Sequence, residues 1–82
     1  MTYYIYGRTV CPWCDRAKAL LEERNIEYEF LNIETNPAYL SRFKELFPTK
    51  RTVPQIRRET KAGHVTDIGG YEDLYNYLKT NS

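Results

Sequence analysis

Eighty-two residues suit one compact domain, expected over 1–82, and leave no length for a second. With 41% apolar residues and twelve aromatics, eight of them tyrosines, the chain can build a core, which excludes a disordered segment. Twelve Lys and Arg against eleven Asp and Glu exclude the basic stripe of a nucleic-acid binder, and no stretch approaches the ~20 apolar residues of a membrane span.

Tyr3 to Tyr6 is a compact apolar run ended by Gly7, the pattern of a central strand. After the loop Arg8 to Val10 a helix is predicted from about Cys11. Pro12 suits its first position, Ala17, Leu20 and Leu21 form one apolar face, and Asn25 stops it. Ile26, Tyr28 and Phe30 alternate with Glu27 and Glu29, a period of two that predicts a second strand running to about Ile33. Asn36 and Pro37 read as an N-cap and first-turn proline for a helix carrying Leu40, Phe43 and Phe47 until Pro48.

Val53 to about Arg58 and His64 to Ile68 are two short strands around the turn Lys61-Ala62-Gly63, predicted to pair as an antiparallel hairpin. Gly69-Gly70 then opens a last helix with an apolar stripe of Tyr71, Leu74, Tyr75 and Leu78. The order βαβαββα predicts an α/β fold, a mixed four-stranded sheet flanked by three helices lying on both faces.

The N-terminal stretch has no basic region followed by a long apolar run, so the protein is expected to be cytoplasmic. In a reducing cytosol, Cys11 and Cys14 read as catalytic or metal-binding rather than as a staple. A structural zinc needs four ligands and the only other soft donor is His64, so no metal is expected. Haem attachment needs His after the second cysteine, where Asp15 stands.

The position of the pair matters more than its spacing. A helix start offers unpaired N–H groups and the positive end of the helix dipole, which favour a thiolate, so Cys11 is the expected exposed nucleophile. Three residues on, Cys14 shares its face and is near enough to resolve a mixed disulfide. Arg8 and Lys18 are expected to add positive potential against Asp15, and Trp13 to set a flat apolar surface beside the sulfur.

Three separated blocks then carry a family resemblance: Gly7-Arg8-Thr9-Val10-Cys11-Pro12-Trp13-Cys14, Thr52-Val53-Pro54-Gln55-Ile56 and Ile68-Gly69-Gly70-Tyr71-Glu72-Asp73-Leu74. In order and spacing they resemble the dithiol glutaredoxins over nearly the whole chain. The resemblance implies a thioredoxin-like fold and a glutathione-dependent thiol–disulfide oxidoreductase acting through Cys11 and Cys14. Glutathione would be co-substrate, with no bound cofactor. It also implies a cis Val53–Pro54 bond facing the cysteines, in the segment from Thr52, with the Val53 backbone pairing with the cysteinyl part of glutathione.

Gly70, Tyr71 and Glu72 would take the γ-glutamyl carboxylate on close backbone and N–H groups, and Asp73 its ammonium. For the glycyl carboxylate the resemblance leaves Arg8, Arg42, Lys50 and Arg51 as candidates. The implied partners are glutathione and disulfide-containing or glutathionylated proteins, ribonucleotide reductase among the candidates, with the chain a monomer. Two rival readings are a thioredoxin-like electron donor and an iron–sulfur cluster binding module. The chain departs from the family at Trp13, where Tyr is common, and in a longer, more charged hairpin from Arg57 to Asp67.

Overall fold

A computed structural model describes residues 2–81; Met1 and Ser82, the ends of the expected domain, lie outside the described residues. The elements run β1 (Thr2–Gly7), α1 (Pro12–Glu23), β2 (Tyr28–Asn32), α2 (Pro37–Leu46), β3 (Gln55–Glu59), β4 (Val65–Gly69) and α3 (Tyr71–Asn81). The sheet order is β2-β1-β3-β4, with β1 parallel to β2 and antiparallel to β3, and β3 antiparallel to β4. This is the α/β arrangement expected from the sequence, with β1 inside the sheet.

Alternation along β1 divides the core. Tyr3 and Ile5 join Ile56 against Ala17, Leu20 and Leu21 of α1 and Leu74 and Leu78 of α3, while Tyr6 meets Phe43 and Phe47 on the other face. Helices therefore cover both faces, α1 and α3 on one and α2 on the other. Successive strand side chains point to opposite faces, so Gly7 lies on the α1 side with Tyr3 and Ile5.

Three strands begin later than the sequence pattern predicts, each because a nearby backbone group is engaged elsewhere or, at a proline, absent. At the end of α1, Asn25 takes φ +57°, the Asn25 N–H donates to Glu22 C=O at 3.0 Å and the Ile26 N–H to Leu21 C=O at 2.9 Å. This double closure of the helix end occupies Ile26, so β2 starts at Tyr28. Pro54 has no N–H for a ladder, and β3 starts at Gln55 instead of Val53. His64 is held in the turn, its C=O accepting from Thr60 N–H at 2.9 Å and its N–H donating to Thr60 Oγ1 at 3.1 Å, so β4 starts at Val65.

Two further differences concern side chains. Tyr75, expected in the apolar stripe of α3, is 41% exposed, and Tyr77 packs against the core in its place. The charged stretch at Arg57 is accommodated by pairing: Arg57 sits opposite Asp67 in the ladder and bonds it at 2.8 Å, with its guanidinium 5.9 Å from the Phe47 ring centre.

Candidate functional site

Cys11 is extended at φ −151° and caps α1, its Sγ accepting from the Cys14 N–H at 3.1 Å. Pro12 follows at the first helical position, where it leaves no N–H unpaired. The two cysteines are joined as a disulfide with Cα atoms 5.2 Å apart. The accepting atom is thus a disulfide sulfur, standing where the thiolate of the reduced pair would receive the same N–H. Cys11 is 7% exposed and Cys14 0%, so the expected exposed nucleophile is buried in this oxidised form, though less than its partner.

The surroundings of Cys14 explain its burial. A Cβ on Gly7 would stand 2.6 Å from Cys14 Sγ and 2.8 Å from the Phe30 ring, so the end of β1 needs glycine to make room for the sulfur. Lys18 Nζ lies 3.7 Å from the Phe30 ring centre and 3.8 Å from Asp15 Oδ1. The positive potential expected from Lys18 is therefore largely matched by Asp15.

Asn32 steadies the loop before the cysteines. Its Nδ2 donates to Thr9 Oγ1 at 3.1 Å, its Oδ1 accepts from Glu34 N–H at 2.9 Å, and Ile33 N–H donates to Gly7 C=O at 2.8 Å.

A groove of about 250 Å³ opens at Trp13, the residue before Cys14, and is lined by Trp13, Thr52, Val53, Pro54, Gly70, Tyr71, Glu72 and Asp73. Tertiary folding thus brings together eight of the expected site residues from three separate stretches of chain. Trp13, which lies between the two cysteines in the chain after Pro12, is 52% exposed and 5.6 Å from the Tyr71 ring centre. The Val53–Pro54 bond is cis. Gln55, buried in β3, donates from Nε2 to Thr52 C=O at 3.0 Å and holds that turn. A Cβ on Gly70 would sit 3.8 Å from the Pro54 C=O, so the two loops meet at the groove floor.

The far wall is the start of α3. Its first helical bond runs from Leu74 N–H to Gly70 C=O at 3.0 Å, so the amides of Tyr71, Glu72 and Asp73 precede the hydrogen-bonded ladder. Asp73 Oδ2 accepts from the Gly70 N–H at 3.0 Å, closing the turn from inside. Gly69, at φ +114°, has no room for a side chain: a Cβ would be 2.4 Å from that same oxygen. A wall of this kind, amides at a helix start beside a carboxylate, suits a ligand end carrying both a carboxylate and an ammonium.

Arg8 stands apart from this groove, in a separate cleft with Ile33, Glu34 and Leu40. None of the four cations considered for the glycyl carboxylate lines the groove. Arg42 lies 3.6 Å from Glu45, and Lys50 lines a neighbouring cleft that shares Asp73 with the groove. The sequence assigns no site role to Gly7, Asn32 or Gln55, because each acts by making room for, or bonding to, a group distant in sequence or reached only through a folded turn. The one local signal is at Gln55, a polar residue opening a strand directly after a proline.

Among the described residues, no group of three or more His, Cys, Asp and Glu is arranged to hold a metal, and no helix is long and apolar enough to cross a membrane. The arrangement can accept and return an electron pair at the sulfurs.

The family profile described as Glutaredoxin matches residues 3–61. Glutaredoxin 3 of Escherichia coli (strain K12) is 37% identical over 73 residues, covering 87% of this chain and 78% of its own. The solution structure of a glutaredoxin from Brucella melitensis is similar at 30% identity with a TM-score of 0.72, covering 99% of this chain and 82% of its own. Buckwheat glutaredoxin, solved as a complex with glutathione, matches at 20% identity and a TM-score of 0.75 over 95% of this chain and 68% of its own, a likeness of fold alone. The profile match and the bacterial relatives, taken with a disulfide at the start of a helix, establish that this chain belongs to the glutaredoxin family and is a thiol–disulfide oxidoreductase of thioredoxin-like fold.

Proposed function

We propose that the protein reduces glutathione mixed disulfides and protein disulfides at the expense of glutathione, with Cys11 as nucleophile and Cys14 as resolving residue. The observation that carries this reading is the groove lined by Trp13 of the Cys11–Cys14 segment and bounded by the Thr52-Val53-Pro54 turn and the first amides of α3. Its far wall suits the carboxylate and ammonium of a γ-glutamyl group. The fold it shares with the buckwheat protein is one that accommodates glutathione in that complex.

In the reduced protein the N–H of Cys14 and the start of α1 stabilise negative charge on Cys11 Sγ. That thiolate attacks the glutathione sulfur of a mixed disulfide. The target leaves as a thiolate and takes a proton from water, and Cys11 becomes glutathionylated. A second glutathione thiolate attacks the same glutathione sulfur, releasing glutathione disulfide and restoring the Cys11 thiolate. For a protein disulfide, Cys11 first forms a mixed disulfide with the target. Cys14 then displaces the target thiol and closes the intramolecular bond, which two glutathiones reduce.

The test is turnover of a glutathione mixed disulfide by two variants. Cys11→Ser should have no measurable activity, whereas Cys14→Ser should stay within about tenfold of the parent because only the single-cysteine route is needed. Robust turnover by Cys11→Ser, or no turnover by the parent with glutathione as reductant, overturns the proposal.

A further inference from the structure

We infer that the outer face of α1, next to the groove, docks protein targets bearing an acidic side chain beside the reactive cysteine and a basic one about three residues further on. The inference rests on the function proposed above and adds a partner chemistry to it.

Tyr71 is shared by two hollows. One side lines the groove, and the other lines a cleft of about 290 Å³ with Arg16, Ala19, Leu20 and Glu23. The cleft is therefore adjacent to the groove across one ring, and Trp13, which lines the groove, lies 5.6 Å from the Tyr71 ring centre. A glutathione in the groove leaves this second hollow free for the rest of the target.

Charge selects the occupant. Arg16 lies with its guanidinium 4.6 Å from the Trp13 ring centre, and the ion pairs of the described residues, Lys18–Asp15, Arg42–Glu45 and Arg57–Asp67, leave it without a carboxylate. Stacking on the indole pre-orders the cation, so less side-chain freedom is lost when an anion binds. Of the nearby acids, Asp15 is held by Lys18 and Glu72 lines the groove on the other side of Tyr71.

Spacing fixes the second charge. Glu23 follows Arg16 by seven residues, two helical turns or ~10.5 Å along the axis. An extended peptide covers that distance in about three residues at ~3.3 Å each. Between the charges, Ala19 and Leu20 offer a small apolar floor.

The probes are decapeptides glutathionylated at a single cysteine. One set carries Asp beside the cysteine and Lys three residues beyond, written in both chain directions; the other set has the two charges exchanged. The parent protein should reduce the better direction of the first set about fivefold faster than its exchanged counterpart, a ratio that shrinks as salt is raised. The double variant Arg16→Glu with Glu23→Lys should reverse the preference, while both proteins turn over the mixed disulfide of glutathione and 2-mercaptoethanol at the same rate. Equal rates on the two sets, or a preference the double variant keeps, overturn the inference. So does a concentration-dependent dimer dissolved by Arg16→Glu, which would assign the cleft to a second copy. If the parent fails on the small mixed disulfide itself, the underlying function falls, a result distinct from loss of charge preference.

Discussion

The helices α1 and α3 both begin beside the same groove, but they use their first turns in opposite ways. At α1 the capping atom is the reactive atom: Cys11 Sγ accepts the Cys14 N–H, so the helix start stabilises charge on the protein itself. At α3 the cap comes from within the helix, where Asp73 accepts the Gly70 N–H and the next amides precede the ladder. The acid in the first turn of α1, Asp15, is tied to Lys18, whereas Glu72 and Asp73 of α3 line the groove. One physical device, the positive end of a helix, thus serves a covalent step in one place and ligand recognition in the other.

If the two starts are separable in this way, damage to α3 should weaken binding and spare the sulfur chemistry. Gly69→Ala forces a side chain into a left-handed backbone and onto Asp73 Oδ2, 2.4 Å away. It should cost about 1–3 kcal/mol in urea unfolding and raise KM for a glutathione mixed disulfide more than about tenfold. The rate of Cys11 alkylation in the reduced protein should be unchanged. An unaltered KM would erase the distinction drawn between the helices.

Asp73 separates capping from charge. Asp73→Ala should lose about 1 kcal/mol of stability and raise KM, whereas Asp73→Asn keeps an oxygen for the Gly70 N–H and should show only the rise in KM. Equal KM for Asp73→Asn and the parent would remove the ammonium from the account of α3. At the α1 end, Gly7→Ala presses on Cys14 Sγ and should slow reduction of a protein disulfide about threefold, leaving the single-cysteine route intact. Comparing the two substrates in one variant gives the measurement.

The smallest effect is a control remote from both starts. Burial and a hydrogen bond to Glu22 push the Tyr28 phenol from 10.0 up to about 12, so the fold keeps a proton that the unfolded chain releases sooner. Its contribution is whole below the unfolded value and is lost as pH rises through the folded one. Tyr28→Phe should therefore flatten the alkaline fall in stability, read by urea melts at stepped pH, and leave turnover unchanged.

Local signals made most elements legible. Pro12, Asn36-Pro37 and Asn25 mark helix ends through capping and backbone preferences that need no distant partner, and the structure places α1 and α2 accordingly. The strand starts were less legible because Ile26, His64 and the Thr52–Pro54 turn are committed to neighbouring caps and turns. Tyr75 departs from the sequence pattern for a related reason. Helical spacing allows either Tyr75 or Tyr77 to lean on the core, and only the packing of α3 against α1 and the sheet chooses Tyr77.

By itself the sequence determined the βαβαββα order, the site of the cysteine pair at a helix start and its redox character, since these depend on short-range periodicity, capping and two thiols three residues apart. Only the tertiary structure decided that Trp13, Thr52–Pro54 and Gly70–Asp73 form one groove while Arg8 faces another cleft. It also decided that Gly7 makes room for Cys14, that Gln55 holds the turn and that, among the described residues, Arg16 has no carboxylate partner. Each of these depends on which side chains the sheet and helices bring within a few ångströms, a distance that spacing along the chain does not encode.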